Sequence, residues 1–550
     1  MRSLSLLIFL LLFRAPALQA VDVDSLTIGI IKDFTGAETL SPEMRGGFVR
    51  QLAIRNYLRR FPEKSALFAS ALQKVAAPQR QNQSFSSSGR FVLHYDSDGI
   101  HAVPPEDVAN NGIPDFIDSA AVYLDHVWQV EVEQLGFRPP PDIDGTPAAQ
   151  YHIYFTNFSD PGLYGQTVFQ DEIASLPGEN YTSYIELHHT FQGGSLYTFG
   201  LRAMKATIAH EFNHACQLGY RLWTQGFLFT DLFFIESSAV WLEEYVYGEV
   251  NDYYQYLPGL FEGIQRVPFT AANYPYLYGN GIFWLMSGLT LSPGLVPEIW
   301  EQIMQEPAFE AIGTVFRRHN TSFAEMQARY GQWLYFTGSR ALPGQFYPEA
   351  ADYPMLTIKE EQHFVAADTL SFRGTVGRKS LAYFSIDDLP SVRQRGQVRA
   401  EGALNTPAGM FNHLSLSDPQ KTAVAISSAQ IIAPLPGDTV TVLVTNPADT
   451  LQNIFYSLQS DTLIASSIGP NPILLNEGRD RAWFYNVPEQ ARIFIYNLNG
   501  RLLKKITRRG ERDISWDVRD ENGRLLSTGI YFYIIQAPES HKRGKFAVIR

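Results

Sequence analysis

A cluster of residues suited to metal chemistry lies in the segment I-A-H-E-F-N-H-A-C-Q-L, which runs from Ile208 to Leu218. His210 and His214 are four residues apart, so an α-helix places both imidazoles on one face. Glu211 directly follows the first histidine. This H-E-x-x-H spacing can hold Zn²⁺ between the two imidazoles and leaves a carboxylate beside the metal-bound water. The segment therefore predicts His210 and His214 as zinc ligands and Glu211 as the catalytic base.

A catalytic zinc site needs a third protein ligand and keeps one position open for water. The best candidate is Glu236, in the segment F-F-I-E-S-S-A-V-W-L-E-E. A carboxylate set among apolar residues is costly to bury unless it is paired or bound to a metal. Glu243 and Glu244 are rivals near the end of the same predicted helix. Glu243 shares a helical face with Glu236, so it could instead orient a histidine from outside the metal site.

The tyrosine-rich loop N-Y-P-Y-L-Y supplies candidates for a second catalytic group. A tyrosine hydroxyl near zinc can donate a hydrogen bond to the oxyanion of a tetrahedral intermediate. Tyr278 is the first candidate for this role and Tyr276 is the second. The alternative is an aromatic loop that packs on the core.

A second candidate metal site lies in the segment D-V-A-N-N-G-I-P-D-F-I-D. Its oxygen side chains are closely spaced around a glycine, as suits a hard cation such as Ca²⁺. The candidate calcium ligands are Asp107, Asn111, Asp115 and Asp118. The spacing is shorter than in an EF-hand, and the alternative is an Asx-turn loop that caps the next helix.

Hydrophobic periodicity predicts the helices that position these groups. One helix is predicted at residues 118–135, and the helix that carries H-E-x-x-H is predicted from about 200 to 217. The second helix should pack beneath a sheet through four residues at helical spacing: Leu201, Met204, Ile208 and Phe212.

Short apolar runs predict strands at residues 91–95, 151–155 and 184–187. We expect the last of these to edge the sheet, where an extended substrate peptide could add to it by main-chain hydrogen bonds. Residues 76–89 are rich in Gln, Ser and Asn and predict a loop or linker.

Composition and charge limit the class of protein. The chain has 550 residues, which predicts several domains, and its formal charge of −12 argues against general nucleic-acid binding. Cys216 is the one cysteine, so no internal disulfide can form. Two residues past His214 on a helix, Cys216 faces away from the metal and should be a small buried apolar residue.

The N-terminal 20 residues have the pattern of a signal peptide, with a basic start, an apolar run from Leu4 to Phe13 and small residues before Ala20. The run is too short to span a bilayer, although a short anchor is an alternative. No later stretch is apolar enough to cross a membrane, so we expect a protein that is secreted or held at the cell surface. Residues 21–90 are either an inhibitory propeptide or a structural extension.

The order of motifs resembles a known family. H-Y-x-x-x-G, D-x-x-x-N-G-I-P-D-F-I-D, Y-G, H-E-F-N-H-A-x-Q, E-x-S-A-x-W-x-E-E and W-x-Y-F-T-G-S-R occur in turn between residues 90 and 345. They resemble secreted bacterial metalloproteases of the gluzincin type, in which a downstream glutamate completes the zinc site. The resemblance implies an α+β zincin-like metallopeptidase domain at residues 91–345. It also implies His210, His214 and Glu236 as ligands and Glu211 as base.

The C-terminal part has a different pattern. Residues 350–465 contain short alternating runs, which predict a β-sandwich domain. Residues 466–550 predict a second small sandwich with turns at Asn499-Gly500 and Asn522-Gly523. This last segment resembles the immunoglobulin-like C-terminal domains that direct type IX secretion in bacteria. The resemblance implies the secretion machinery as a partner and a location outside the outer membrane; the alternative is an accessory domain that binds or spaces.

Together these features predict a secreted zinc endopeptidase that acts on a protein or peptide substrate. Two other functions fit the same residues. One is a surface adhesin on a degenerate peptidase scaffold, and the other is a zinc amidase that acts on cell wall.

Overall fold

The computed structural model describes residues 23–40, 48–68, 77–175, 179–194, 196–225, 228–358, 360–363, 369–387, 397–404, 410–414, 429–432, 440–461, 467–475, 481–485, 487–510, 513–538 and 540–550. The predicted signal peptide at residues 1–20 lies outside these ranges. The chain is multidomain, with helices, several β-sheets and a β-rich C-terminal part. It divides into two compact units, Met1–Gly259 with Thr270–Val315 and Leu260–Phe269 with Phe316–Arg550.

The first unit begins with helices α1 (Val23–Thr35) and α2 (Phe48–Arg60), followed by a 3-10 helix at Pro62–Phe68. Arg55 of α2 donates a hydrogen bond to the carbonyl of Gln170 and forms an ion pair with Glu172. Phe34 stacks on Phe229 at a centroid distance of 5.5 Å. The extension is therefore docked on the unit, and an inhibitory role for it stays a prediction.

One five-stranded sheet organises this unit: β1 (Asn82–Phe85), β2 (Phe91–Tyr95), β3 (Tyr151–Thr156), β4 (Gly165–Glu172) and β5 (Tyr181–His188). The strand order is β1-β2-β3-β5-β4, with the three central strands parallel and both edge strands antiparallel.

Two sequence predictions about this sheet are wrong. The predicted loop at residues 76–89 contains β1, whose polar residues pair with β2 along the edge of the sheet. The strand at residues 184–187 is part of β5, which is interior because β4 pairs along its outer side. The edge strand on this side of the sheet is therefore β4.

Helices α3 (Asp115–Trp128), α4 (Gly200–Gln217) and α5 (Leu232–Tyr247) carry or support the predicted metal ligands. The helix predicted at residues 118–135 starts earlier, after Pro114, and its last part is a π-helix at Gln129–Gln134. The α4 helix has the predicted bounds. Of its four predicted core residues, Met204, Ile208 and Phe212 are fully buried, whereas Leu201 in the first turn is 42% exposed.

The remaining elements up to the β-rich part are short. β6 (Thr224–Gln225) pairs with β7 (Leu228–Phe229), and a 3-10 helix spans Asp252–Tyr256. The further helices are α6 (Leu257–Gly263), α7 (Tyr276–Gly279), α8 (Gly281–Thr290), α9 (Leu295–Ile303), α10 (Ala308–Arg318), α11 (Phe323–Tyr335) and a 3-10 turn at Gly338–Arg340.

The second unit contains two four-stranded sheets, ordered β12-β14-β10-β8 and β13-β11-β15-β9. Their strands are β8 (Glu360–His363), β9 (Thr369–Val376), β10 (Ser380–Asp387), β11 (Gln397–Leu404), β12 (Met410–Leu414), β13 (Ala429–Ile432), β14 (Val440–Asn446) and β15 (Gln452–Asp461). Two sheets in this range are the arrangement that the alternating sequence pattern predicts.

The C-terminal segment forms a three-stranded sheet, β16-β18-β21, and a five-stranded sheet, β17-β23-β22-β19-β20. The strands are β16 (Ser467–Gly469), β17 (Ile473–Leu474), β18 (Ala482–Tyr485), β19 (Arg492–Tyr496), β20 (Leu502–Thr507), β21 (Ile514–Trp516), β22 (Gly529–Ala537) and β23 (Ser540–Ile549). Both sheets contribute to one core that includes Phe484 and Phe546. Gly500 and Gly523 have positive φ, as expected for glycine in tight turns.

Among the described residues, no single helix is both long and apolar enough to cross a membrane. The segments Tyr276–Thr290 and Leu295–Ile303 meet the length and hydropathy criteria only as a pair, with a bend of 113° between them.

Candidate metal centre

The three predicted zinc ligands converge in the first unit. His210 and His214 project from α4, and Glu236 projects from α5. The two Nε2 atoms are 3.0 Å apart. Oε2 of Glu236 is 3.5 Å from Nε2 of His210 and 3.3 Å from Nε2 of His214. All three residues are buried. Among the described residues, these are the one group of three or more acidic, histidine or cysteine side chains close enough to share a metal ion.

The dimensions of this triangle fit a zinc ion. Tetrahedral Zn²⁺ with bonds of roughly 2.0–2.1 Å keeps its ligand atoms about 3.3 Å apart, and the three distances here surround that value. The donor set of two imidazoles and one carboxylate is also one that catalytic zinc uses.

The outer nitrogen of each histidine has a partner that turns its Nε2 toward the centre. Nδ1 of His210 is 2.7 Å from Oε1 of Glu243, and Nδ1 of His214 is 2.8 Å from Oε1 of Gln217. A carboxylate and an amide oxygen accept hydrogen bonds, so each Nδ1 carries the proton and each Nε2 is left to bind a cation. The structure thus places Glu243 as the outer partner of a histidine, one of the two roles that its helical face allowed.

Glu236 has the electrostatics of a group that faces positive charge. Its Oε2 is buried and has no hydrogen-bond partner of normal geometry among the described residues. Burial alone raises the pKa of Glu236, but electrostatic attraction to the adjacent His214 and His210 outweighs it and lowers this pKa to about 2. Burial lowers the pKa of His210, but Glu236 and Glu243 outweigh it and raise this pKa well above its usual value. Either a shared proton or a metal ion can hold these atoms together, and the donor set and distances fit zinc.

Glu211 lies beside the centre and is held by the edge strand. Its Oε2 accepts a hydrogen bond of 2.7 Å from the hydroxyl of Thr167 on β4. The close approach of β4 requires Gly165, because a Cβ there would lie 2.7 Å from Cγ2 of Thr207 and 3.2 Å from Cγ of Glu211. Sequence reasoning missed Thr167; the Tyr164-Gly165 pair that opens this strand was the signal available for it.

The two candidate tyrosines have different surroundings. The ring of Tyr278 is almost parallel to that of His210, with centroids 6.0 Å apart. Tyr276 is also buried, but its hydroxyl pairs with Asn280. The structure therefore brings Tyr278 rather than Tyr276 to the predicted ligands.

A small cavity of about 20 Å³ lies next to His210 and Glu211, with Tyr164, Asp252 and Tyr278 among its lining residues. This is room for roughly one water molecule. Burial raises the pKa of Asp252, an effect that hydrogen bonds from Thr198, Gln255 and Tyr164 partly offset. The side chain of Asp252 thus adds a polar group to the lining of the cavity beside Glu211, the predicted base.

The other predicted residues lie outside this centre. Both carboxylate oxygens of Asp107 accept backbone hydrogen bonds, from Asn111 and Gly112, while Asp115 accepts one from Val108 and Asp118 accepts one from the side chain of Asn111. These contacts are those of a loop closed by Asx-type turns, and calcium binding there stays a prediction. Cys216 is fully buried, as expected.

No protein family and no curated protein matches this sequence. Solved structures with local similarity include PorZ, an essential bacterial surface component of the type IX secretion system of Porphyromonas gingivalis. PorZ is 23% identical over 20% of this chain and 15% of its own, with a TM-score of 0.15. Latent dimeric PorU from the same organism is 14% identical over 35% of this chain and 19% of its own, with a TM-score of 0.14.

PliG, a periplasmic lysozyme inhibitor of Salmonella Typhimurium, is 8% identical over 19% of this chain and all of its own, with a TM-score of 0.13. The chain spans less than a fifth of PorZ and of PorU. TM-scores this low carry no argument about function, so the candidate site has to be interpreted from its own geometry.

Proposed function

We propose that this protein is a secreted zinc endopeptidase with a zincin-like domain in its first unit. The observation that carries the proposal is the convergence of two imidazole Nε2 atoms and one carboxylate oxygen, all buried and about 3.0–3.5 Å apart. His210, His214 and Glu236 would hold the metal. Bound zinc would polarise the scissile carbonyl and lower the pKa of water to about 7.

The residues around the metal ligands supply the remaining catalytic groups. Glu211, next to His210 and anchored by Thr167, would take the proton of the attacking water and deliver it to the leaving amine. Tyr278, stacked on His210, would donate a hydrogen bond to the developing oxyanion. A peptide substrate would pair with the outer side of β4 at its Gly165 end, because Gly165 and Thr167 are the strand residues next to Glu211. Arg55 of α2 contacts the other end of this strand, at Gln170 and Glu172.

The test compares metal content and casein hydrolysis in the wild type, Glu211→Gln and the control Glu133→Gln. Glu133 is an exposed acid whose side chain is 50% accessible, so its loss should change neither property. We expect about one zinc per chain in all three proteins and no hydrolysis in Glu211→Gln alone. Absence of zinc after metal-replete purification would refute the proposed enzymatic function and favour a surface adhesin. Hydrolysis of cell wall in place of casein would favour the amidase.

We further propose that residues 466–550 direct export by the type IX route. The protein would then act at the outer face of the outer membrane or in the surrounding medium. Support comes from the sequence resemblance of this segment and from its two sheets with a shared core. Deletion of residues 466–550 should leave the remainder inside the cell envelope, whereas continued export of the shortened chain would refute this role.

A further inference from the structure

Gln217 lies three residues after His214 on α4 and is 2% exposed. Its side chain contacts four polar groups, which belong to both ligand-bearing helices. Oε1 is 2.8 Å from Nδ1 of His214, and Nε2 donates to the carbonyl of Ile235 at 3.1 Å, to the hydroxyl of Ser238 at 3.2 Å and to Oδ1 of Asn213. What holds this amide in the orientation that His214 needs is the further question that its other contacts answer.

The contact with Ile235 fixes which way the amide points. A backbone carbonyl can only accept, so the NH₂ group of Gln217 must face Ile235 and its oxygen must face His214. His214 must then donate from Nδ1, which leaves the Nε2 lone pair directed at Glu236. The tautomer of His214 is therefore set by a carbonyl on the other helix, through one amide.

The same contact also ties the two helices together at the centre. Ile235 directly precedes Glu236 on α5, while Gln217 follows His214 on α4. The hydrogen bond from Nε2 of Gln217 to the Ile235 carbonyl thus joins the backbone beside one predicted ligand to the side-chain partner of another. Loss of this bond would free both the imidazole orientation and the spacing of the two helices.

A buried acid extends this arrangement behind the helix. Nδ2 of Asn213 donates to Oε2 of Glu131 at 3.1 Å, in the π-helix that follows α3, and both residues are fully buried. Burial raises the pKa of Glu131 well above its usual value, although Asn213 and the charge of His210 oppose this. Glu131 gives Asn213 an acceptor for its NH₂ group, so the Asn213 oxygen is left to face Gln217.

We propose that Gln217, supported by Asn213 and Glu131, is a positioning residue that presents His214 to zinc as the Nδ1–H tautomer and fixes the spacing of α4 and α5. This role rests on the proposed zinc site and deepens it. Outer partners of metal-bound histidines typically change metal affinity 10–100-fold when they are removed. The same range is expected here.

The test measures the zinc dissociation constant by competition with a chromophoric chelator for the full chain, Gln217→Met and the control Gln327→Met. Gln327 is also 2% exposed, and its amide donates to the carbonyl of Ser380, so the control removes a buried amide of the same size. We expect zinc binding to weaken about 10–100-fold in Gln217→Met and to stay at the wild-type value in Gln327→Met. Melting temperatures show how much each variant loses in stability alone.

A third variant, Gln217→Glu, separates the two contacts of the amide. Glutamate can still accept from His214 but places an oxygen against the Ile235 carbonyl, so it should not restore wild-type zinc affinity. Full affinity in Gln217→Glu would show that the link to α5 is irrelevant and would overturn the proposal. Equal affinities in Gln217→Met and Gln327→Met would overturn it as well, whereas failure of the wild type to bind zinc would instead refute the proposed function.

Discussion

Asp231 should make the stability of the helix that carries Glu236 depend on pH. This residue immediately precedes α5 and is only 4% exposed. Burial is the main cause that raises its pKa from 3.8 to about 7, and the charge of Glu310 adds to this increase. Hydrogen bonds from the Ala308 amide and the Thr230 hydroxyl partly oppose it. The perturbation is Asp231→Asn, which keeps the size and removes the charge.

The direction of the effect follows from the raised pKa. The protonated acid is favoured in the folded chain, so its contribution to stability is fully present below about pH 4 and is lost as the pH rises to about 7. The difference between the two pKa values corresponds to an upper limit on the order of 4 kcal/mol. Asp231→Asn should therefore gain stability relative to the wild type across this interval and keep the gain above it.

The measurement is hydrogen exchange of the α5 amides between pH 4.5 and 8, corrected for intrinsic exchange rates and read by mass spectrometry. This local readout suits a chain of more than one compact unit, for which a single unfolding free energy is poorly defined. The control is Asp144→Asn, which changes an exposed acid in a loop. A difference between Asp231→Asn and the wild type that stays constant with pH would refute the reasoning.

Three further predictions concern the centre itself. Glu243→Met should weaken zinc binding roughly 10–100-fold in a chelator competition, because it removes the oxygen that accepts from Nδ1 of His210; wild-type affinity would contradict this role. Gly165→Ala should destabilise the first unit by about 1–3 kcal/mol, seen as a lower melting temperature, because the new Cβ would lie 2.7 Å from Cγ2 of Thr207 and 3.1 Å from the Glu186 carbonyl. An unchanged melting temperature would show that β4 can move. Tyr278→Phe should lower kcat about 100-fold with zinc content unchanged if the hydroxyl stabilises the oxyanion, whereas an unchanged kcat would leave only ring packing.

The candidate site was predictable where its geometry is local. His210 and His214 lie on one helix, and the helical period alone places their rings side by side. Glu236 could be selected because an acid inside an apolar helix needs a partner. The contacts of Gln217 with Ile235 and of Thr167 with Glu211 depend on how separate elements pack, so no spacing within one segment could indicate them.

The fold was likewise predictable where the signal is local and not where it depends on how strands pair. Strands β2, β3 and β5 are apolar runs and were predicted near their observed positions. β1 has the sequence N-Q-S-F, which has no strong strand propensity and becomes a strand because β2 offers it an open edge. β4 is likewise fixed by its pairing with β5, and its position decides which strand a substrate could join.

The outer partner of His210 is the acid Glu243, whereas that of His214 is the neutral amide of Gln217. This difference has an electrostatic reason. Three acidic side chains, Glu211, Glu236 and Glu243, already lie buried around the two imidazoles. Their formal negative charge already exceeds the charge of one divalent cation, so a fourth carboxylate at position 217 would add a further unbalanced buried charge, at a cost of several kcal/mol. An amide supplies the acceptor that His214 needs and the donor that Ile235 needs while adding no charge. The neutrality of Gln217 is thus as much a part of the proposed centre as the acidity of Glu243.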